Sequence, residues 1–429
     1  MLPLADGNDI ATVTQAYRML TCNDRFVEKV AWSCLRTVAR RKTGIKNPSE
    51  KELADYLNSN PAGAQEREGG DIRSLWTRAR KATTALRKHA NVRWFWNETR
   101  REMEITIPSQ GQPDVARIHP VARSHLVGHL RRSVRNVYLK KLIDKPDQGK
   151  VFEASARWSV SNHFIRSGQF TRFCDWRFIH RARVDCLPLN GTRRFDTEGD
   201  KRCRRCGYAT ETLPHVINHC RHQLVNMTGR HDAILDRIVK AVPASLGTAS
   251  INRKVADSSS ALRPDLVVTD MANRKVVIVD VTVPFENRYE ALEAARLAKM
   301  DKYEPLVKEL TEKGFEVEMD ALVVGSLGAW DPANERTLRI LKIGRRYSRM
   351  MRKLISSEAI QWSRDIYIQH ITGHPQRQSR PTRPDPQPTP DNNDTNDADN
   401  TTPAPTFPNI PTNMQHEGNT QPPKIPPPS

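Results

Sequence analysis

The chain has 429 residues and a formal charge of +19 at neutral pH. No window approaches the roughly 18 consecutive apolar residues of a membrane span, and Met1 to Thr14 lack the basic-then-apolar pattern of a secretory signal. So one-sided an excess of Lys and Arg predicts attraction to a polyanion, and the length predicts two or three domains.

Residues 1–60 read as helical, because Val13, Ala16, Tyr17 and Leu20, then Val27, Val30, Ala31, Cys34 and Leu35, recur at helical spacing. Ser49 and Glu52 form a capping-box pair at a helix start. Residues 71–105 interleave Arg78, Arg80, Lys81, Arg87 and Lys88 with Trp76, Trp94, Phe95 and Trp96. The aromatics are expected in the core and the charges on phosphate. A second basic helix, about 122 to 141, carries Arg131, Arg132 and Arg135 as candidate nucleic-acid contacts. Between 151 and 200, Trp158, Phe164, Phe170, Phe173, Trp176 and Phe178 read as the core of a helical layer, with Ser161-Asn162 as a helix cap.

From 262 the pattern becomes α/β. Leu266-Val267-Val268 and Val276-Val277-Ile278-Val279, joined through Asn273-Arg274, read as a hairpin. Tyr289 to Leu310 reads as an amphipathic helix, Val317 to Val324 as a third strand, and 332–370 as basic helix. Beyond about His374 the composition turns to Pro, Thr, Asn, Asp and Gln, which cannot bury a core and is expected to be disordered. The expected fold class is therefore mixed α+β and α/β. A basic helical region (1–150) precedes a helical linker with a metal knuckle (151–240). A small α/β domain (241–371) and the tail (372–429) follow.

Two patterns carry chemistry. The first is Cys203-x2-Cys206-x8-His215-x4-Cys220. Structural zinc takes four soft or borderline ligands in a tetrahedron, and this CCHC spacing supplies them. His219, one residue earlier, is the other candidate for the fourth place. Arg202, Arg204 and Arg205 flank the knuckle as candidate phosphate contacts. The seven cysteines are odd in number and three cluster with a histidine, which fits a metal site better than a disulfide framework.

The second pattern is Arg263-Pro264-Asp265, then Asp280 ending an apolar run, then Lys299-x3-Tyr303. Phosphodiester cleavage needs a metal held by carboxylates, an activated water and a cation beside the phosphate. Opposed positions across a hairpin lie roughly 5 Å apart, so Asp265 and Asp280 could share one Mg²⁺. The usual active site of this kind has a lysine two residues after the second acid. Thr282 stands there, so Lys299 on the next helix is the candidate, with Tyr303 on its face. Lys302 lies on another face of that helix and is the lesser candidate. Glu286, Asp232 and Asp236 are further candidate metal ligands, each also readable as a surface charge.

The knuckle, Arg230-His231-Asp232, Arg263-Pro264-Asp265, Asp280 and Lys299-x3-Tyr303 resemble the C-terminal part of the polyprotein of R2-type non-LTR retrotransposons. Ser161 to Arg166 and Leu187-Pro188-Leu189-Asn190 resemble the linker of that region. The resemblance covers about 150 to 330 well, and 1–150 more loosely as thumb-like and linker helices.

The resemblance implies a PD-(D/E)xK restriction-like endonuclease behind a zinc-knuckle linker. It acts in the nucleus and nicks target DNA to expose a 3′-OH primer. A reverse transcriptase of the same element then copies element RNA from that primer. By motif match Asp265 and Asp280 are metal ligands, Lys299 the catalytic lysine and Tyr303 its companion. Asp232 stands where the family pattern has Asn. No Asp-Asp polymerase motif and no N-terminal DNA-binding fingers are found, so copying is not expected of this chain alone. It reads as a truncated or degenerate copy, or as a stretch starting inside a longer polyprotein. Two other readings stay open: a nucleic-acid-binding remnant without turnover, and a stand-alone junction-resolving nuclease.

Overall fold

A computed structural model describes residues 2–60, 71–108, 115–192, 199–255 and 258–377. The tail expected to be disordered lies, from residue 378 on, outside the described residues. The N-terminal helices form where the spacing places them. They are α1 (Leu4–Leu20), α2 (Arg25–Thr43), α3 (Glu50–Leu57) and α4 (Leu75–Ala90). The Asp24 carboxylate accepts the Phe26 and Val27 N–H groups at the start of α2, and Gly44 at φ 78 ends it. Ser49 and Glu52 make the reciprocal capping box that opens α3. Val13, Tyr17, Leu35, Leu57 and Leu86 meet in one core.

The same core holds an element the helical reading of 1–150 lacks. β1 (Arg93–Asn97), β2 (Glu102–Pro108) and β3 (Val115–Ile118) form an antiparallel sheet in that order. Met103, Ile105 and Ile107 alternate inward along β2, a period of two that the surrounding arginines obscure. Trp76 and Trp94 are core, as expected, whereas Phe95 is exposed.

α5 (Leu126–Ile143) buries Leu130 and Val134 and exposes Arg131, Arg132 and Arg135. The layer that follows contains α6 (Gly149–Ala156), α7 (Phe164–Ser167) and α8 (Phe173–Arg183). Phe164 and Phe178 are core, but Phe170, Phe173 and Trp176 are exposed, which corrects their assignment to the core. Ser161 and Asn162 do not cap a helix either. Ser161 Oγ accepts the Trp330 N–H, and Asn162 Oδ1 accepts from Arg183.

α9 (Leu224–Val239) leads into the second sheet, β4 (Thr248–Ile251), β5 (Leu266–Asp270), β6 (Lys275–Thr282) and β7 (Glu316–Val323). The strands lie in that order, antiparallel except for the parallel β6–β7 pair. α10 (Glu290–Glu312) makes the crossover and runs through Pro305 unbroken. α11 (Asn334–Ile340) and α12 (Arg345–Thr372) complete the fold. The expected hairpin, crossover helix and third strand are all present. β4 is an edge strand not foreseen.

Burial alternates along β6. Val276 and Ile278 face Tyr303, Leu306 and Leu310 of α10. Val277, Val279 and Val281 face Ile234 and Ile238 of α9 and Met351 and Ile355 of α12. A strand with both faces covered reads as a continuous apolar run, which is what Val276 to Val279 shows.

Glu286 is fully buried and its carboxylate accepts the Leu327 and Ala329 N–H groups. A Cβ at Gly325 would come within 2.1 Å of it. Its charge also faces the buried Arg183 and Arg230 guanidiniums, each pulled down by burial to about 10. Glu286 thus braces a loop and is no surface charge.

Candidate functional site

Register brings the two aspartates together. Leu266 pairs with Val279, so the next positions outward are Asp265 and Asp280. The Asp265 N–H reaches Asp280 Oδ1 at 3.4 Å, and the Val281 N–H donates to Asp265 Oδ2 at 2.7 Å. Lys299 Nζ, one helix away on α10, sits 2.5 Å from Asp280 Oδ2. Tyr303, one turn further, is 1% exposed, and its hydroxyl donates to the Arg263 carbonyl. Lys302 reaches the same phenol oxygen at 3.0 Å. The four sequence-predicted residues therefore surround one point, with Tyr303 as the floor beneath Arg263.

A fifth residue enters that the motif reasoning did not assign. His231, on α9, places Nε2 3.0 Å from Asp265 Oδ2 and Nδ1 3.1 Å from Asp232 Oδ1. Its signal in the sequence was the Arg230-His231-Asp232 triplet, whose flanking residues now have roles. Arg230 anchors α9 to Ser363 of α12, and Asp232 orients the imidazole. Asp232 acts through His231.

The electrostatics separate the two carboxyls. Burial raises Asp265, but the hydrogen bond and charge of His231 outweigh it and hold Asp265 below the usual carboxylate range. Burial and the charge of Asp265 push Asp280 up, against Lys299. Burial lowers His231, yet its bonds to Asp232 and Asp265 raise it to about 10. Burial and the charge of Asp280 keep the Tyr303 phenol protonated far above its ordinary range.

A folded-state pKa above the unfolded one stabilises below the unfolded value and loses that contribution as pH rises through the folded value. In chelator-containing buffer, the His231 contribution is therefore complete below about 6.5 and gone above about 10. Melting temperature should fall across that window in the wild type, with a shallower fall in His231→Gln. Equal slopes by scanning fluorimetry would contradict the assignment.

The cysteine cluster lies elsewhere in the chain. Cys203, Cys206, His215 and Cys220 bring one ligand atom each within 4.8 Å of one another. Cys203 and Cys220 Sγ are 4.0 Å apart, and Cys206 Sγ is 3.2 Å from His215 Nε2. Tetrahedral zinc with bonds of about 2.3 Å separates two thiolates by about 3.8 Å, so these residues are placed to bind a metal such as zinc. Residues 215–219 form a π turn, and the Cys220 N–H donates to the His215 carbonyl at 2.7 Å. That i→i+5 closure brings two ligands five positions apart onto one side. Cys220, not His219, joins the group. Burial pushes the Cys220 thiol up to about 12 and keeps His215 neutral. A bound cation reverses the first effect and favours the second.

The arginines of the knuckle are exposed, yet each has a partner within the protein. Arg204 pairs with the buried Glu211, which also accepts from the Asn190 N–H and contacts His370 of α12. Arg205 donates to the His370 carbonyl, capping the C-terminal end of α12. Arg202 is exposed and pairs with Asp200. The guanidiniums of α5 have no such partners among the described residues.

Residues 10–186 match the family model described as the T26G10.4 domain. That stretch runs from α1 past the end of α8. A retrovirus-related Pol polyprotein from type-1 retrotransposable element R2 of Popillia japonica is 25% identical over 208 residues. The match covers 47% of this chain and 42% of that relative, so the chain spans less than half of the relative's length. The chain is thus similar in sequence to part of a retrotransposon polyprotein.

Proposed function

We propose that the chain contains a metal-dependent DNA endonuclease of the restriction-like kind, with the knuckle region binding nucleic acid. The observation that carries the reading is the opposed Asp265–Asp280 pair with Lys299 2.5 Å from one acid and His231 3.0 Å from the other. Asp265 Oδ1 takes no hydrogen bond among the described residues, and Asp280 Oδ2 is buried against the Lys299 ammonium. Two hard oxygens so placed fit Mg²⁺. Mg²⁺, when bound, lowers the pKa of its water and neutralises phosphate charge. Lys299 stands where charge develops on the scissile phosphate, and His231 fixes the Asp265 rotamer. Arg131, Arg132 and Arg135 lie exposed on α5 and attract the phosphate backbone.

On this reading the chain works in the nucleus with DNA, element RNA and a reverse transcriptase of the same element. Its nick leaves a 3′-OH that primes copying of the RNA. The test is whether nicks made in Mg²⁺ are extended by an added DNA polymerase. Direct extension supports the priming role. Nicks extended only after phosphatase treatment, and so blocked by 3′-phosphate, would exclude it. One observation favours a second reading, a binding remnant without turnover: Thr282 occupies the place two residues after Asp280, and the lysine comes from α10 instead.

A further inference from the structure

The three-stranded sheet carries a second group of hard ligands, remote in sequence from both sites above. Glu102 and Glu104 are two apart on β2 and share a face. His119 follows β3 in register with Glu104, since Ile118 pairs with Ile105. One ligand atom from each of the three lies within 4.8 Å of the others.

Glu104 is 0% exposed. Its Oε1 accepts from Asn97 Nδ2 at 2.7 Å and contacts His119 Nδ1 at 2.9 Å. Its Oε2 is buried with no partner among the described residues. An orphaned carboxylate oxygen in the interior carries a full desolvation cost. Glu102 adds a second carboxylate beside it.

The geometry points to a divalent-cation site at Glu102, Glu104 and His119. One ion there satisfies Glu104 Oε2, separates the two carboxylates and takes an imidazole nitrogen. Two oxygens and one nitrogen suit zinc or manganese better than Mg²⁺, which prefers oxygen alone. Asn97 holds Oε1 and so orients the Glu104 carboxylate, as outer-layer partners of metal ligands do. Tyr17 donates to the Ile118 carbonyl at 2.7 Å and fixes the backbone that presents His119. Glu102 and His119 are only half-buried, so three protein ligands leave a coordination position open, the arrangement of exchangeable and catalytic sites rather than closed structural ones. Glu102 also lines a cleft of about 570 Å³ with Arg101, Arg123, Trp32 and Trp96, which gives a further ligand of the ion room to enter.

This inference does not rest on the nuclease reading, and its test keeps the two apart. Full-length protein carrying Asp265→Asn and Asp280→Asn, with its thiolate site loaded with zinc, is titrated with Mn²⁺ and followed by electron paramagnetic resonance. One bound Mn²⁺ per chain is expected. Glu102→Gln or His119→Gln should weaken it at least roughly tenfold, and Asn97→Ala roughly tenfold to a hundredfold. Glu102 and His119 are half-buried, so both variants should fold, checked by circular dichroism. No bound Mn²⁺ in the parent, or the same isotherm in Glu102→Gln and His119→Gln, overturns the site. Glu104 and His119 would then be a hydrogen-bonded pair only.

Discussion

Asp280→Asn is expected to lower DNA cleavage by about three orders of magnitude, some 4 kcal/mol of transition-state stabilisation, with the fold retained. Asp280 is 1% exposed and receives the Lys299 ammonium. The amide keeps its shape but loses the charge that a cation and Lys299 both need. Lys299 is itself partly exposed, so it regains water when Asp280 is neutralised and the stability cost stays small. The reverse substitution behaves differently. Lys299→Met leaves a buried carboxylate beside the charged Asp265, and removing one member of a buried pair costs about 3–5 kcal/mol. It should lose both activity and stability. Cleavage assays and thermal melts on both variants check this, and a fully active Asp280→Asn would remove Asp280 from the chemistry.

Cys203→Ser is expected to release the bound metal and loosen the knuckle. Cys203 is 3% exposed and lies 4.0 Å from Cys220 and 3.8 Å from His370 Nε2. Structural zinc contributes on the order of 10 kcal/mol in isolated fingers. Here the effect should extend beyond the knuckle. Arg205 caps the end of α12, and α12 holds α9 through Ser363 and Arg230. α9 in turn delivers His231 to Asp265. Wild-type protein should therefore melt several degrees lower after chelation, whereas Cys203→Ser should melt low with or without chelator. Zinc analysis should give one ion per chain fewer in the variant. A chelator response of equal size in both proteins would contradict the assignment.

The parts of the fold that sequence made legible are those whose signal is local. The β5–β6 hairpin announces itself through consecutive Val and Ile on either side of Asn273-Arg274. Asp265 and Asp280 follow from it, because the first immediately precedes β5 and the second closes the apolar run Val276 to Val279 within β6. The spacing of Cys203, Cys206, His215 and Cys220 is equally local, and the π turn decides between His219 and Cys220 in a way no pattern of i+4 spacing anticipates.

What stayed hidden depends on chain brought from afar. His231 meets Asp265 across 34 positions, and His370 meets Glu211 across 159. His370 does not differ in its local sequence from an ordinary helical one, and His231 is marked only by its Arg230-His231-Asp232 triplet. Arg204 and Arg205 read as phosphate contacts from their place beside the knuckle, and their pairing with Glu211 seven positions on and with the distant end of α12 is not legible there. Along β1 and β2 the strands were overlooked because charge and aromatics dominate the composition there, while the deciding alternation rests on Met103, Ile105 and Ile107 alone. Phe173 and Trp176 stack on each other at the surface, which aromatic content by itself does not distinguish from core.

The most direct measurement is the conversion of supercoiled plasmid to nicked circle by purified protein in Mg²⁺, beside an Asp265→Ala, Asp280→Ala double variant. Nicking by the wild type, abolished by chelator and absent from the double variant, is the predicted result. Plasmid left intact by the wild type while both proteins still retard DNA would contradict it.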